Sequence, residues 1–217
     1  MALTLISAPA AQVLALDELQ EHLRLYPCGS PPETPDDALI QRLAEAAVSE
    51  LDGADGWLGR ALIEQSWYLT LPQFPPCDGP IWLPLTSPQW GGASPAPAPV
   101  GSLEYVASDG TVTALVDGVD FEVVTNHDPQ YIRPVYGRHW PCARCQSDAV
   151  RVQYTAGYGA AGTDVPAVIR AYLLLRVGQL YEYRELVGAA AAVAPVPYMR
   201  DMLESVRQRR RLCERDD

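Results

Sequence analysis

The residues of this 217-residue chain with the most chemical reach lie in one run, His139-Trp140-Pro141-Cys142-Ala143-Arg144-Cys145. Two cysteines separated by two residues can offer both thiolates to a zinc ion at about 2.3 Å each, and His139, His127 or Cys77 could complete a tetrahedral set. That is half of a finger pattern, because no second CxxC and no HxxxH stands at metal spacing. We therefore read Cys142 and Cys145 as loop cysteines and expect no metal or cofactor. Were a metal held, Cys142, Cys145 and His139 would be its first ligands.

Catalysis finds no better footing. The chain has no Gly-rich phosphate loop, HExxH, GxSxG or EF-hand pattern. His22, His127 and His139 fall in three separate segments, whereas a catalytic histidine needs a nucleophile and an orienting carboxylate beside it. Glu45, Glu50, Asp52 and Asp55 could pair as carboxylates for hydrolysis or a divalent cation, but they stand at mixed helical spacing with no base nearby. They read as a solvated face. Tyr172, Tyr181 and Tyr183, with Met199 and Met202, read as packing. The chain is not expected to be an enzyme.

Composition bounds the rest. With 48% hydrophobic residues the chain can bury a core as one domain or one domain with an inserted unit. Its net charge is −11, and all sixteen basic residues are Arg. Residues 1–62 carry ten acids against three Arg, while 200–217 carry five acids against six. A global grip on nucleic acid is excluded, since phosphate binding needs an accumulated basic face. An odd count of five Cys behind an N-terminus with no positive leader suggests a reducing site of synthesis. No apolar run is long enough to span a bilayer, so no membrane partner is expected.

The elements that must position these residues begin with Thr34–Leu71. Leu39, Leu43, Ala47, Leu51, Ala54, Leu58 and Leu62 recur at helical spacing, and Pro35, Asp36 and Asp37 suit a helix start. A helix over 35–62 would be about 40 Å long. Gly53, Gly56 and Gly59 argue for a break near Gly53 or a close backbone approach there. Upstream, Asp17 to Gln20 resembles a capping box opening a helix to about Tyr26.

From Ile63 the period changes to two. Strands are predicted at 63–71, 81–85, 103–107, 111–116, 119–124, 130–136 and 149–156, with Ser108-Asp109-Gly110 as a hairpin turn. Residues 86–99 form a Pro-rich projecting loop. Helix returns over 165–187, apolar around most of its circumference and so expected at the centre. GAAAAVAP at 188–195 reads as a hinge before a last helix with a stripe of Met199, Met202, Leu203 and Val206 and a cluster of Arg207, Arg209, Arg210 and Arg211. The class is α+β: a core of about four helices (1–62 and 164–187) interrupted by an antiparallel β excursion (63–163), with 188–217 as hinge and docking helix.

This order resembles the head-tail adaptor, or connector, proteins of long-tailed phages, prophages and gene transfer agents. The likeness is carried by LALDELQEHLRL at 14–25, DDALIQRLAEAA at 36–47, GRALIEQSWYLTLPQF at 59–74 and VRVQYTAGYGAAGTDVPAVIRAYLLLRVGQLYEYRE at 150–185. In such proteins the chain re-enters a helical core through a TAGYG-like turn, here Thr155–Gly159, and a Pro-started helix. The 86–99 insert and the 138–147 loop are longer than that pattern.

The resemblance implies a ring of about twelve copies below the portal protein, continuing the channel through which DNA passes without sequence-specific binding. It also implies a surface for a stopper or tail-completion protein. Such a protein is made in the host cytoplasm and ends in the virion neck. Met199, Met202, Leu203, Val206, Arg207 and Arg209 to Arg211 are then the expected portal-binding residues. Two rivals stand beside it: a zinc-dependent hydrolase using the CARC loop, and a DNA-binding regulator using the Arg-rich end.

Overall fold

The computed structural model describes residues 1–25, 35–86, 100–183 and 201–208. All seven predicted strands form: β2 (Gln65–Leu71), β3 (Ile81–Trp82), β4 (Val100–Val106), β5 (Val112–Leu115), β6 (Phe121–Val124), β7 (Tyr131–Pro134) and β8 (Val150–Ala156). An eighth, β1 (Ala2–Ser7), precedes them. The larger sheet runs β1-β2-β8-β4-β5 and the smaller β3-β7-β6, every pairing being antiparallel.

β8 is the middle strand of the larger sheet because its alternate residues Val150, Val152, Tyr154 and Ala156 are all apolar and buried. They join Trp67, Leu69, Leu103, Phe121 and Ile132 in one core between the sheets. The Tyr154 hydroxyl donates to the Pro84 carbonyl at 2.9 Å, and burial pushes its pKa up. The expected hairpin turn forms with Gly110 at φ +91°, and Asp109 accepts from the Thr111 N–H and hydroxyl.

The described helices are three: α1 (Leu16–His22), α2 (Asp37–Ser49) and α3 (Ala167–Glu182). They enclose a second core of Leu19, Ile40, Ala44, Ala47, Ile169, Leu173 and Val177. Ion pairs tie α3 to both neighbours, Arg170 to Glu18 at 2.6 Å and Arg176 to Glu50 at 2.7 Å. The fold is thus α+β with two antiparallel sheets.

Several expectations change. The expected count was about four helices; three α-helices are described, and where the predicted last helix enters the described residues, 202–207 run as turn and bend, while positions 87–99 and 184–200 lie outside them. α1 ends at His22, its N-cap is Ala15 without a side-chain cap, and α2 starts at Asp37. On α2 the buried stripe is Ile40-Ala44-Ala47, one residue off Leu39 and Leu43, which are half-buried. Residues 2–7, assigned to the helical part, pair with β2. α3 buries only one face, leaving Leu175 44% exposed.

The rod over 35–62 does not form; the break does, at Ser49. Leu51, Leu58 and Leu62 stay buried, yet the backbone between them folds back on itself. Trp57 N–H donates to the Glu50 carbonyl at 2.9 Å, Leu58 to Leu51 at 3.3 Å and Gly53 to Arg60 at 2.9 Å. Gly56 is required at the bend, because a Cβ there would collide with the Leu51 and Asp52 carbonyls. Asp52 fastens the far end, accepting from Leu62 N–H at 2.7 Å and from the Gln65 amide at 2.9 Å.

The exit to β2 and the return from β8 are stitched together. Tyr158 N–H donates to the Leu62 carbonyl at 3.1 Å and Glu64 N–H to the Gly159 carbonyl at 2.9 Å, so the TAGYG turn lies against residues 62–64.

Burial raises the Asp52 pKa above the ordinary carboxylate value, against the lowering by its hydrogen bonds. The folded chain then holds the Asp52 proton more tightly than the unfolded chain, so stability from this group declines as pH rises from about 3.8 through the folded value. Asp52→Asn should flatten that slope at small cost, whereas Asp52→Ala, which orphans Leu62 N–H, should cost about 1–3 kcal/mol in chemical denaturation at pH 7.

Candidate functional site

The CARC loop is a fastened structural loop. Asp78 accepts from Trp140 N–H at 2.9 Å and contacts His139 Nδ1 at 2.6 Å, while the Trp140 indole donates to the Gly79 carbonyl at 3.0 Å and stacks on Phe74. The His139 contact, ahead of the Trp140 hydrogen bond, holds the Asp78 carboxyl below its ordinary pKa. Cys77, Cys142 and Cys145 are free and exposed. Among the described residues no three of His, Cys, Asp and Glu come together in a metal-holding group. His127, a possible fourth ligand, packs against Trp82 and Tyr131 instead.

The acidic residues disperse as well. Glu50 pairs with Arg176, Asp52 is the loop fastener just described, and Glu45 and Asp55 are exposed. Among the described residues no helix is long and apolar enough to cross a membrane.

What the structure does assemble is a polar seam between the two cores, centred on Arg60, which is 3% exposed. Its guanidinium donates to the Val206 carbonyl at 2.6 Å, the Thr86 carbonyl at 2.8 Å and the Asp128 carboxylate at 2.5 Å. The Thr86 hydroxyl donates to the Leu83 carbonyl at 2.7 Å and accepts from Gln130 N–H at 3.0 Å. One side chain thereby joins the folded-back loop, the end of β3, the β6–β7 connection and the C-terminal stretch.

That C-terminal stretch differs from a free ligand. Leu203 is fully buried in the helical core and Val206 packs beside it. Arg207 lies 4.4 Å over the Trp57 ring and pairs with Glu204 at 3.4 Å. Gln208 N–H donates to the Leu58 carbonyl at 2.9 Å. Met202 is half-buried; Met199, Arg209, Arg210 and Arg211 lie outside the described residues. Of the expected portal-binding stripe, Leu203 is thus committed to the subunit's own core. Sequence reading passed over Arg60, Trp57 and Asp128, although a basic residue within LGRALI, an otherwise apolar run, signals a buried and partnered charge.

With this geometry in hand, comparison with known proteins adds the fold's relatives. No family model and no curated sequence matches the chain. Solved structures do, three of them as follows. A chain in the neck of an empty gene transfer agent particle, computed with C6 symmetry, is 24% identical with a TM-score of 0.71, over 99% of this chain and 100% of that one. A chain of the native gene transfer agent virion is 23% identical with a TM-score of 0.70, over 98% of each. One in the native neck with C12 symmetry is 24% identical with a TM-score of 0.69, over 99% and 100%. The whole chain therefore has the fold of these gene transfer agent chains.

Arg60→Ala should destabilise the chain by about 3 kcal/mol, since it leaves the Asp128 carboxylate without its cation and removes the guanidinium donor from the Val206 and Thr86 carbonyls. By contrast, the Cys142→Ser, Cys145→Ser double variant should melt within about a degree of the parent with or without chelator, as judged by calorimetry.

Proposed function

We propose that the protein is a structural head-tail adaptor of a phage-like particle: a ring component of the neck, seated between the portal protein and a stopper or tail-completion protein. The observation that carries this reading is the end-to-end match with chains from gene transfer agent particles, two of them from necks treated with six-fold and twelve-fold symmetry. Partial likeness would reflect a shared module; here the helical part, the β excursion and the return helix all coincide in one chain.

The residues support a mechanical role. Two cores fastened by a buried guanidinium make a stiff building block, and heterologous contacts between identical blocks close into a ring when their rotation divides a full turn. About twelve copies would suit the C12 neck. The excess of acid, −11 over the chain, suits a conduit that DNA slides through, because a basic lining would hold the phosphates. No enzymatic step is assigned to it, and its working place is the particle's neck after assembly in the host cytoplasm.

In this reading α1, α2 and α3 supply the helical body, β1 with 63–163 the projecting β unit, and 188–217 the portal contact. Met199, Met202, Val206, Arg207 and Arg209 to Arg211 supply apolar and cationic groups for that contact, and Leu203 joins them only where its own core releases it. The zinc hydrolase is not favoured, since its ligand set is dispersed among the described residues.

Mixing the purified chain with the portal protein of its own particle tests the proposal. Electron microscopy should show a ring of density added below the portal, and mass photometry a mass step near twelve subunits. Absence of a ring with and without portal at micromolar concentration would refute it. Random-sequence duplex DNA should show no salt-dependent binding with the steep slope of a phosphate-gripping protein.

A further inference from the structure

Residues 201–208 cross the seam as a strap whose hold is narrow. Leu203 is fully buried with Val206 partly buried beside it, the Gln208 side chain donates to the Thr86 carbonyl at 3.4 Å, and the backbone contributes the Val206 carbonyl to Arg60 and the Gln208 N–H to Leu58. Arg207 covers the face of Trp57. Open grooves flank the strap, one of about 460 Å³ between Trp57, Gly59, Glu204 and Arg207, the other of about 250 Å³ between Leu51, Tyr172, Arg176 and Leu203. A strap packed on so few atoms opens more readily than the cores beneath it.

The cradle under the strap is built independently. Trp57, Leu58 and Arg60 are held by hydrogen bonds to Glu50, Leu51 and Gly53, none of which involves residues 201–208. Arg60 also keeps Thr86 and Asp128 when Val206 leaves. An emptied cradle would therefore retain its shape: a buried donor at Arg60 Nε, an acceptor at the Leu58 carbonyl, an aromatic face and an apolar socket.

We propose that Trp57–Arg60 with Tyr172 is an acceptor site for a short segment bearing a leucine four residues ahead of an arginine. The free subunit fills it with its own Leu203–Gln208 and surrenders that segment on joining the neck. This rests on the neck reading, and it follows from competition. Leu203, Val206 and Arg207 are both the groups seated in the cradle and the groups that give the C-terminal segment its apolar and cationic character. They cannot occupy two sites at once, so docking within the subunit lowers the fraction of chains free to dock elsewhere. The strap thus delays capture of the tail until a partner outcompetes the cradle.

The geometry supplies its own test. A Cβ at Gly59 would stand 3.6 Å from the Gln208 Cβ, within disulfide span. In a chain whose five native cysteines are Ser, the Gly59→Cys, Gln208→Cys pair can be oxidised with glutathione disulfide, which takes up the two electrons and two protons as the S–S bond forms. Both redox forms carry the same strain from a side chain at Gly59, where φ is +65°. We expect a link within one chain, a folded subunit, and portal association at least tenfold weaker in the oxidised form than in the reduced form. Equal association of the two forms would overturn the proposal, as would failure of the link to form within the chain. Should neither the reduced pair nor the Ser parent join portal, the neck reading fails, and hydrogen exchange on the parent decides the acceptor site alone. Gln208 N–H exchanging well ahead of the core amides supports a releasable strap, and exchange only with global unfolding overturns it.

Discussion

A guanidinium removed from water must find acceptors for its N–H groups, and in this chain Arg60 places one N–H of each nitrogen on a different stretch of sequence. Thr86, Asp128 and Val206 lie 26, 68 and 146 residues from it. Lysine could not replace it, because one ammonium has neither the reach nor the planar fork to address three acceptors in different directions. The demand works as a constraint on folding: the charge is tolerable once the folded-back loop and the smaller sheet bring Thr86 and Asp128 to it, and the C-terminal stretch adds a third acceptor.

That constraint explains why two separate apolar cores behave as one subunit. The helical core and the sheet core share few side chains, and the chain passes between them at 62–65 and again at 155–159. Those two passages are bonded to each other, and Asp52 fastens the first from the helical side. Backbone hydrogen bonds join the cores at these passages, and Arg60 adds side-chain bonds across the seam. Under the neck reading such a junction carries load, and hydrogen bonds of defined geometry favour one orientation where an apolar contact has no preferred direction.

The strands were legible because a half-buried sheet imposes a period of two, and Gly or Asp turns mark its ends. The break after Ser49 was half legible. Apolar spacing of three and four continues through Leu51, Leu58 and Leu62 since all three are buried, and periodicity reports burial, whatever backbone path achieves it. β1 escaped notice because nearly all its side chains remain exposed at a sheet edge, leaving no alternation to read. The seam was least legible of all. Its partners are brought together by topology, and nothing local to Thr86, Asp128 or Leu203 announces them; only the isolated charge within LGRALI gave a hint.

The distribution of arginine completes the physical picture. Among the described residues Arg60, Arg133, Arg151, Arg170, Arg176 and Arg207 are each paired with a carboxylate, so much of the chain's positive charge is spent inside the subunit. The acids that remain unmatched give the whole its surplus of −11. A protein that gripped a nucleic acid would hold its cations free on one face and release counterions as they met phosphate. Here six arginines are paired within the subunit, Arg60, Arg170 and Arg176 among them fastening one element to another. Under the neck reading the ring's grip is therefore on proteins, and the only strongly basic stretch, Arg209 to Arg211, lies beyond the strap, where its availability to an acidic partner surface depends on what the cradle holds.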